Sequence, residues 1–101
     1  MFIILYRWRI KSGLENQFIE SWSEITEFYV KNFDSLGSRL HRGNDGLFYA
    51  YAQWKSAEQR EKAFNNAPKL EARTRMHEAI EESFPEIILE IQSDFLKYPD
   101  K

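Results

Sequence analysis

Residues 2–10, Phe-Ile-Ile-Leu-Tyr-Arg-Trp-Arg-Ile, alternate in a way that leaves one fold for them. Phe2, Ile4, Tyr6, Trp8 and Ile10 share one parity, and Ile3, Leu5, Arg7 and Arg9 the other. Side chains two apart point to the same face of a strand, so this segment is a strand with one very apolar face and one mixed face. Ser12 and Glu15 then have the spacing of a capping box. After them Leu14, Phe18, Trp22, Ile25 and Tyr29 recur at steps of three and four, an apolar helical stripe. Asp34, Ser35 and Gly37 weaken further helix, so it ends near Phe33.

Residues 36–42 and 47–54 read as two strands joined by Gly43-Asn44-Asp45-Gly46, residues that tolerate positive φ and suit a hairpin. Ser56 and Gln59 repeat the capping-box spacing and open a short helix to about Asn66. Pro68 suits the first turn of a following helix. That helix carries Ala72, Met76, Ala79, Ile80 and Ser83 on one stripe and ends at Pro85. Residues 86–96 form the last expected strand, with Ile87, Leu89, Ile91 and Phe95 on one side and Ile88, Glu90, Gln92 and Asp94 on the other. The order β-α-β-β-α-β specifies an α+β, ferredoxin-like fold with an antiparallel sheet. The 101 residues form a single domain, with no repeat and no linker.

Composition narrows function by exclusion. The chain has no cysteine, so thiolate metal sites and cysteine nucleophiles are ruled out. A net charge of -2 gives no electrostatic footprint for nucleic acid. No apolar run reaches the ~20 residues that span a bilayer. The apolar start has no basic region before it and no small-residue cleavage site after it, so a cytoplasmic protein is expected. The histidines and acidic residues lack metal-ligand spacing, and the glycines form no phosphate loop.

Helices on one face of such a sheet leave the other open. The parities give the open face Ile3, Leu5, Arg7, Arg9, Leu47, Tyr49 and Tyr51, with Ile88, Glu90, Gln92 and Asp94 from the last strand. Arg7 and Arg9 then face Glu90 and Asp94 across the sheet. So much aliphatic and Tyr surface on a small domain predicts a homodimer through this face. The helix side receives Tyr6, Trp8, Phe48, Ala50, Ala52 and Trp54, under a helix bearing Phe18, Trp22, Phe28 and Tyr29. The alanines either seat Trp22 above them or leave an aromatic-walled pocket for a flat ligand. Arg73 and His77 lie one helical turn apart beside the Met76 stripe, where His77 would serve as a general base at a pocket edge or sit in solvent.

With this element order, the run Lys11-Ser12-Gly13-Leu14-Glu15 after the first strand and Gln53-Trp54-Lys55-Ser56-Ala57-Glu58 before the short helix resemble the antibiotic biosynthesis monooxygenase family of dimeric α+β barrels. The similarity spans about residues 2–97. The resemblance implies a homodimer whose two sheets form a barrel, with a pocket in each subunit between helices and sheet. It implies oxygenation of a small aromatic or polycyclic compound by molecular oxygen without metal or flavin, through a substrate carbanion. Trp54 matches the pocket Trp of the family, and His77 and Trp54 are the implied catalytic residues. Tyr6, Trp8, Trp22 and Arg73 are the expected substrate-binding residues. Haem-degrading relatives carry an Asn on the first strand where this chain has Tyr6. Three readings follow: a cofactor-independent monooxygenase, a haem-binding protein, and a non-catalytic dimeric ligand-binding or structural module.

Overall fold

A computed structural model describes residues 1–99 of the chain. Its elements are β1 (Phe2–Ile10), α1 (Glu15–Asn32), β2 (Ser38–Arg42), β3 (Phe48–Trp54), α2 (Ala57–Asn66), α3 (Glu71–Ala79), β4 (Ile80–Ser83) and β5 (Ile87–Leu89). The sheet is antiparallel in the order β2-β3-β1-β4, with β5 also on β1. This is the expected α+β, ferredoxin-like arrangement. No helix among the described residues is long and apolar enough to cross a membrane.

The β1–β3 register pairs Phe2 with Trp54, Ile4 with Ala52, Tyr6 with Ala50 and Trp8 with Phe48. One face therefore gathers the large apolar side chains with the two alanines, and α1, α2 and α3 cover it. The core joins Trp8, Phe18, Ile25, Tyr29, Phe48, Trp54, Ala63, Ala72 and Met76. Phe18 meets Trp8 and Phe48 edge-on, at 5.1 and 5.5 Å between ring centroids, an arrangement that aromatic quadrupoles favour. In the hairpin, Gly46 adopts a φ of 85° and its N–H donates to Gly43, a turn that suits glycine because it has no Cβ to clash.

The two capping expectations diverge. At α2, Ser56 accepts from the Gln59 N–H at 3.1 Å, while the Gln59 side chain accepts from the Lys55 N–H at 2.9 Å. At α1 the capping position is Leu14 and has no side-chain cap. Glu15 instead accepts from the Gly13 N–H, and Ser12 takes no part. Pro68 lies before α3, which starts at Glu71.

The C-terminal third corrects three expectations. Helix α3 stops at Ala79, six residues before Pro85, because Ile80 already pairs with Ile10 on β1. Pro85 lacks an N–H and interrupts the edge strand instead of ending a helix. Across the interruption, Phe84 N–H still donates to the Arg7 carbonyl at 3.1 Å. Next, β5 ends at Leu89, so residues 90–96 are not strand; they border a depression with Ile3, Tyr51 and Gln53 on the open face. Last, the register Ile3↔Leu89 and Leu5↔Ile87 places Ile87 and Leu89 on the open face and Ile88 on the other, the reverse of the parity reading. Arg9 consequently pairs with Glu82 at 3.5 Å and Glu81 at 3.9 Å, not with Glu90 or Asp94.

Candidate functional site

Helices and sheet do not close on each other everywhere. Between them lies a cleft of about 210 Å³, lined by Tyr6, Trp8, Ala52 and Trp54 from the sheet and by Trp22, Tyr29, Arg60, Phe64, Arg73 and Met76 from the helices. A cavity of about 150 Å³ accepts a benzene ring, so this one has room for a fused-ring compound. The two alanines behave differently. Ala50 is fully buried and belongs to the packed core, whereas Ala52 lines the cleft. Trp22 is only half-buried and stands at the wall.

The end of β3 sets one wall. Trp54 is 3% exposed and meets Tyr29 and Phe64 edge-on, at 6.0 and 5.9 Å. Tyr29 is fixed by the end of α1, where the N–H groups of Phe33 and Ser35 both donate to its carbonyl. Asp34 turns into the left-handed region there, at φ 57°. Tyr6 and Trp8, on one face of β1, stack at 5.6 Å with an interplanar angle of 2°.

Two arginines enter this aromatic enclosure. Ser56 caps α2, so Arg60 and Phe64 fall a turn apart on the side that also buries Ala63. The Arg60 guanidinium lies 4.7 Å from the Phe64 ring centre, and that of Arg73 lies 5.8 Å from it, contacts that favour a cation over a ring face. Arg73 donates to the Tyr29 hydroxyl at 2.8 Å. Arg60 Nη2 donates to the Tyr6 hydroxyl at 2.8 Å and to Glu86 at 2.6 Å. Glu86 reaches the cleft because it directly follows the Pro85 interruption, and its 45% exposed side chain marks the mouth.

The electrostatics follow from this network. Burial pushes the Tyr6 phenol above its ordinary 10.0, and the Arg60 bond offsets only part of that, so Tyr6 keeps its proton and can donate it. Burial opposes the charge on Arg60, but its bond to Tyr6 and the nearby Glu86 outweigh burial and hold it protonated. Arg73 has no carboxylate partner among the described residues. Two buried polar atoms of residues that line the cleft, Ser38 Oγ and Arg60 Nε, have no hydrogen-bond partner among the described residues. Such groups cost free energy unless something satisfies them.

The structure thus brings together Tyr6, Trp8, Trp22, Trp54 and Arg73 of the expected residues. It leaves out His77, which is exposed and does not line the cleft. Each residue turns a helix by about 100°, so with Met76 aimed inward, His77 is rotated toward solvent. Among the described residues, no group of three or more His, Asp or Glu is placed to hold a metal ion. Sequence reasoning missed Arg60, Glu86, Phe64 and Ser38. The spacing of Arg60 and Phe64 was the available signal, since both lie on the face of α2 that carries Ala63.

No protein-family model matches the chain, and no curated protein matches it. Solved structures do. The chain is similar to SnoaB, a cofactor-independent oxygenase from Streptomyces nogalater, with a TM-score of 0.78 at 13% identity over 95% of this chain and 97% of that one. It is similar to a candidate antibiotic biosynthesis monooxygenase from Nitrosomonas europaea, with a TM-score of 0.75 at 15% identity over 92% and 100% of the two chains. A candidate enzyme of the same description from Deinococcus radiodurans gives 0.73 at 10% identity over 98% and 100%. The fold is therefore that of the antibiotic biosynthesis monooxygenase structures.

Proposed function

We propose that the cleft binds a small fused-ring aromatic compound bearing an acidic oxygen and supports its cofactor-independent oxygenation. The observation that carries this reading is Arg73, a cation on an aromatic wall with no carboxylate of its own. An enolate or phenolate supplies the missing charge, and the rings of Trp54, Tyr6 and Trp22 supply the flat apolar surface. The likeness to an oxygenase that works without a cofactor adds support.

In this reading the Arg73 cation makes the bound phenol or enol more acidic, and the proton leaves to solvent at the mouth. The resulting carbanion gives one electron to dioxygen. The radical pair combines to form a C–O bond, the resulting peroxide anion takes a proton back from solvent, and the hydroperoxide loses water to leave a ketone. Overall, a CH₂ group and O₂ become C=O and H₂O. The protein contributes orientation and stabilisation of negative charge. His77, outside the cleft, takes no part, and Trp54 acts as a wall that positions the ring.

Haem binding fits less well, since the cleft is small and no histidine lines it among the described residues. The open face supports a homodimer: Leu5, Tyr49, Tyr51, Ile87 and Leu89 lie on it, and Ile91, Phe95 and Leu96 are exposed on the segment that follows. Oxygen uptake with an anthrone tests the catalytic reading. Uptake that is faster than the spontaneous reaction and falls in Arg73→Gln supports it. Binding of the anthrone without acceleration would leave a non-catalytic ligand-binding module.

A further inference from the structure

Two guanidinium groups face one cleft, but they are not equivalent. Both protons of Arg60 Nη2 are taken, one by Tyr6 and one by Glu86. Its Nε–H remains buried and unpartnered. Its charge is thus neutralised from within the protein by Glu86. Arg73 is bonded only to a neutral hydroxyl and keeps its charge uncompensated.

We infer that Glu86 sets the charge selectivity of the cleft, making it a site for ligands with one anionic oxygen and one neutral acceptor. The anionic oxygen pairs with Arg73. A neutral carbonyl accepts from the Tyr6 hydroxyl, whose oxygen takes the Arg60 proton and whose own O–H is left to donate. A second anionic group on the ligand would meet Glu86 at the mouth and compete with it for Arg60. Like charges at such a distance repel, and a carboxylate without its cation is costly to hold in a partly buried place. Glu86 is therefore a specificity-determining residue that acts through Arg60. Its place in the chain suits this role, since the Pro85 interruption of the edge strand delivers it to the mouth.

This inference rests on the aromatic-anion reading of the cleft, and its test separates the two. The probes are naphthoate, with one carboxylate, and the naphthalenedicarboxylate isomers, with two. Binding is followed by tryptophan fluorescence, because Trp8, Trp22 and Trp54 line the cleft. Wild type is expected to prefer naphthoate. Glu86→Gln keeps the side-chain shape and is expected to shift the ratio toward dicarboxylates by about fivefold or more. Arg60→Gln in the Glu86→Gln background is expected to abolish that gain. Glu86→Ala, with circular dichroism as a check on folding, guards against a local effect of the Gln. Naphthoate binding with an unchanged ratio in both Glu86 variants would overturn the Glu86 inference alone. Failure of all these probes to bind wild type would overturn the reading of the cleft and this inference with it.

Discussion

Arg60 donates a 2.8 Å hydrogen bond to the hydroxyl of Tyr6, joining α2 to the first strand across 54 residues of sequence. The bond fixes a cation beside an aromatic stack and offsets part of the rise that burial gives the Tyr6 phenol. It also ties the helical layer to the sheet at the point where the cleft opens. Tyr6→Phe is expected to cost about 1 kcal/mol in urea unfolding, the usual worth of one such bond, with Arg60 still held by Glu86. A loss of several kcal/mol would mean that Tyr6 carries the fold and not only the site.

The same residue predicts a pH dependence. Burial raises the Tyr6 phenol above 10.0 in the folded state. A group whose folded value is raised gives stability that is complete below the unfolded value and lost as pH rises through the folded one. Stability is therefore expected to fall above about pH 10, and Tyr6→Phe to flatten part of that fall. Tyr49, raised by its bond to Asp45, contributes to the remainder. Denaturant midpoints across the alkaline range would check this, and an identical profile in Tyr6→Phe would contradict it.

Ala50 and Ala52 point to one side of β3 yet should respond differently to enlargement. Ala52→Leu projects into open space, so it should fill the cleft and abolish ligand binding at a modest cost in stability. Ala50→Leu meets packed core and should cost about 1–3 kcal/mol or more through overpacking. Thermal melts paired with ligand titration distinguish the two. Equal destabilisation with binding intact would show that the space above Ala52 is not the site.

His77→Ala is expected to leave binding and oxygen uptake unchanged, since the side chain is outside the cleft. Arg73→Gln is expected to weaken binding of an aromatic anion about tenfold or more, the loss of one charge-assisted hydrogen bond. The opposite ranking would return His77 to the site.

A homodimer through the open face predicts that Tyr51→Glu, which puts a carboxylate between two apolar surfaces, yields a monomer by light scattering at micromolar concentration. A monomeric wild type would remove the dimer.

The sequence carried the fold well where burial is periodic. The parity of Phe2 to Ile10 and the Ala50/Ala52 face are both seen in the β1–β3 register. Legibility failed after Met76. Ile80 suits a helix stripe and an edge strand equally, and pairing with Ile10 decides for the strand. Once Pro85 interrupts that strand, the parity of Ile87 and Ile88 depends on a restart that no local pattern specifies. The site divided along the same line. Strand aromatics such as Tyr6 and Trp54 were readable because a strand has only two faces. Arg60 and Glu86 were not, because their meeting depends on where two separate elements end.

A crystal structure with naphthoate is the decisive measurement for the cleft. The ring is expected against Trp54, with its carboxylate on the Arg73 guanidinium. A cleft closed by the Trp22 side chain, or a carboxylate bound away from Arg73, would contradict it.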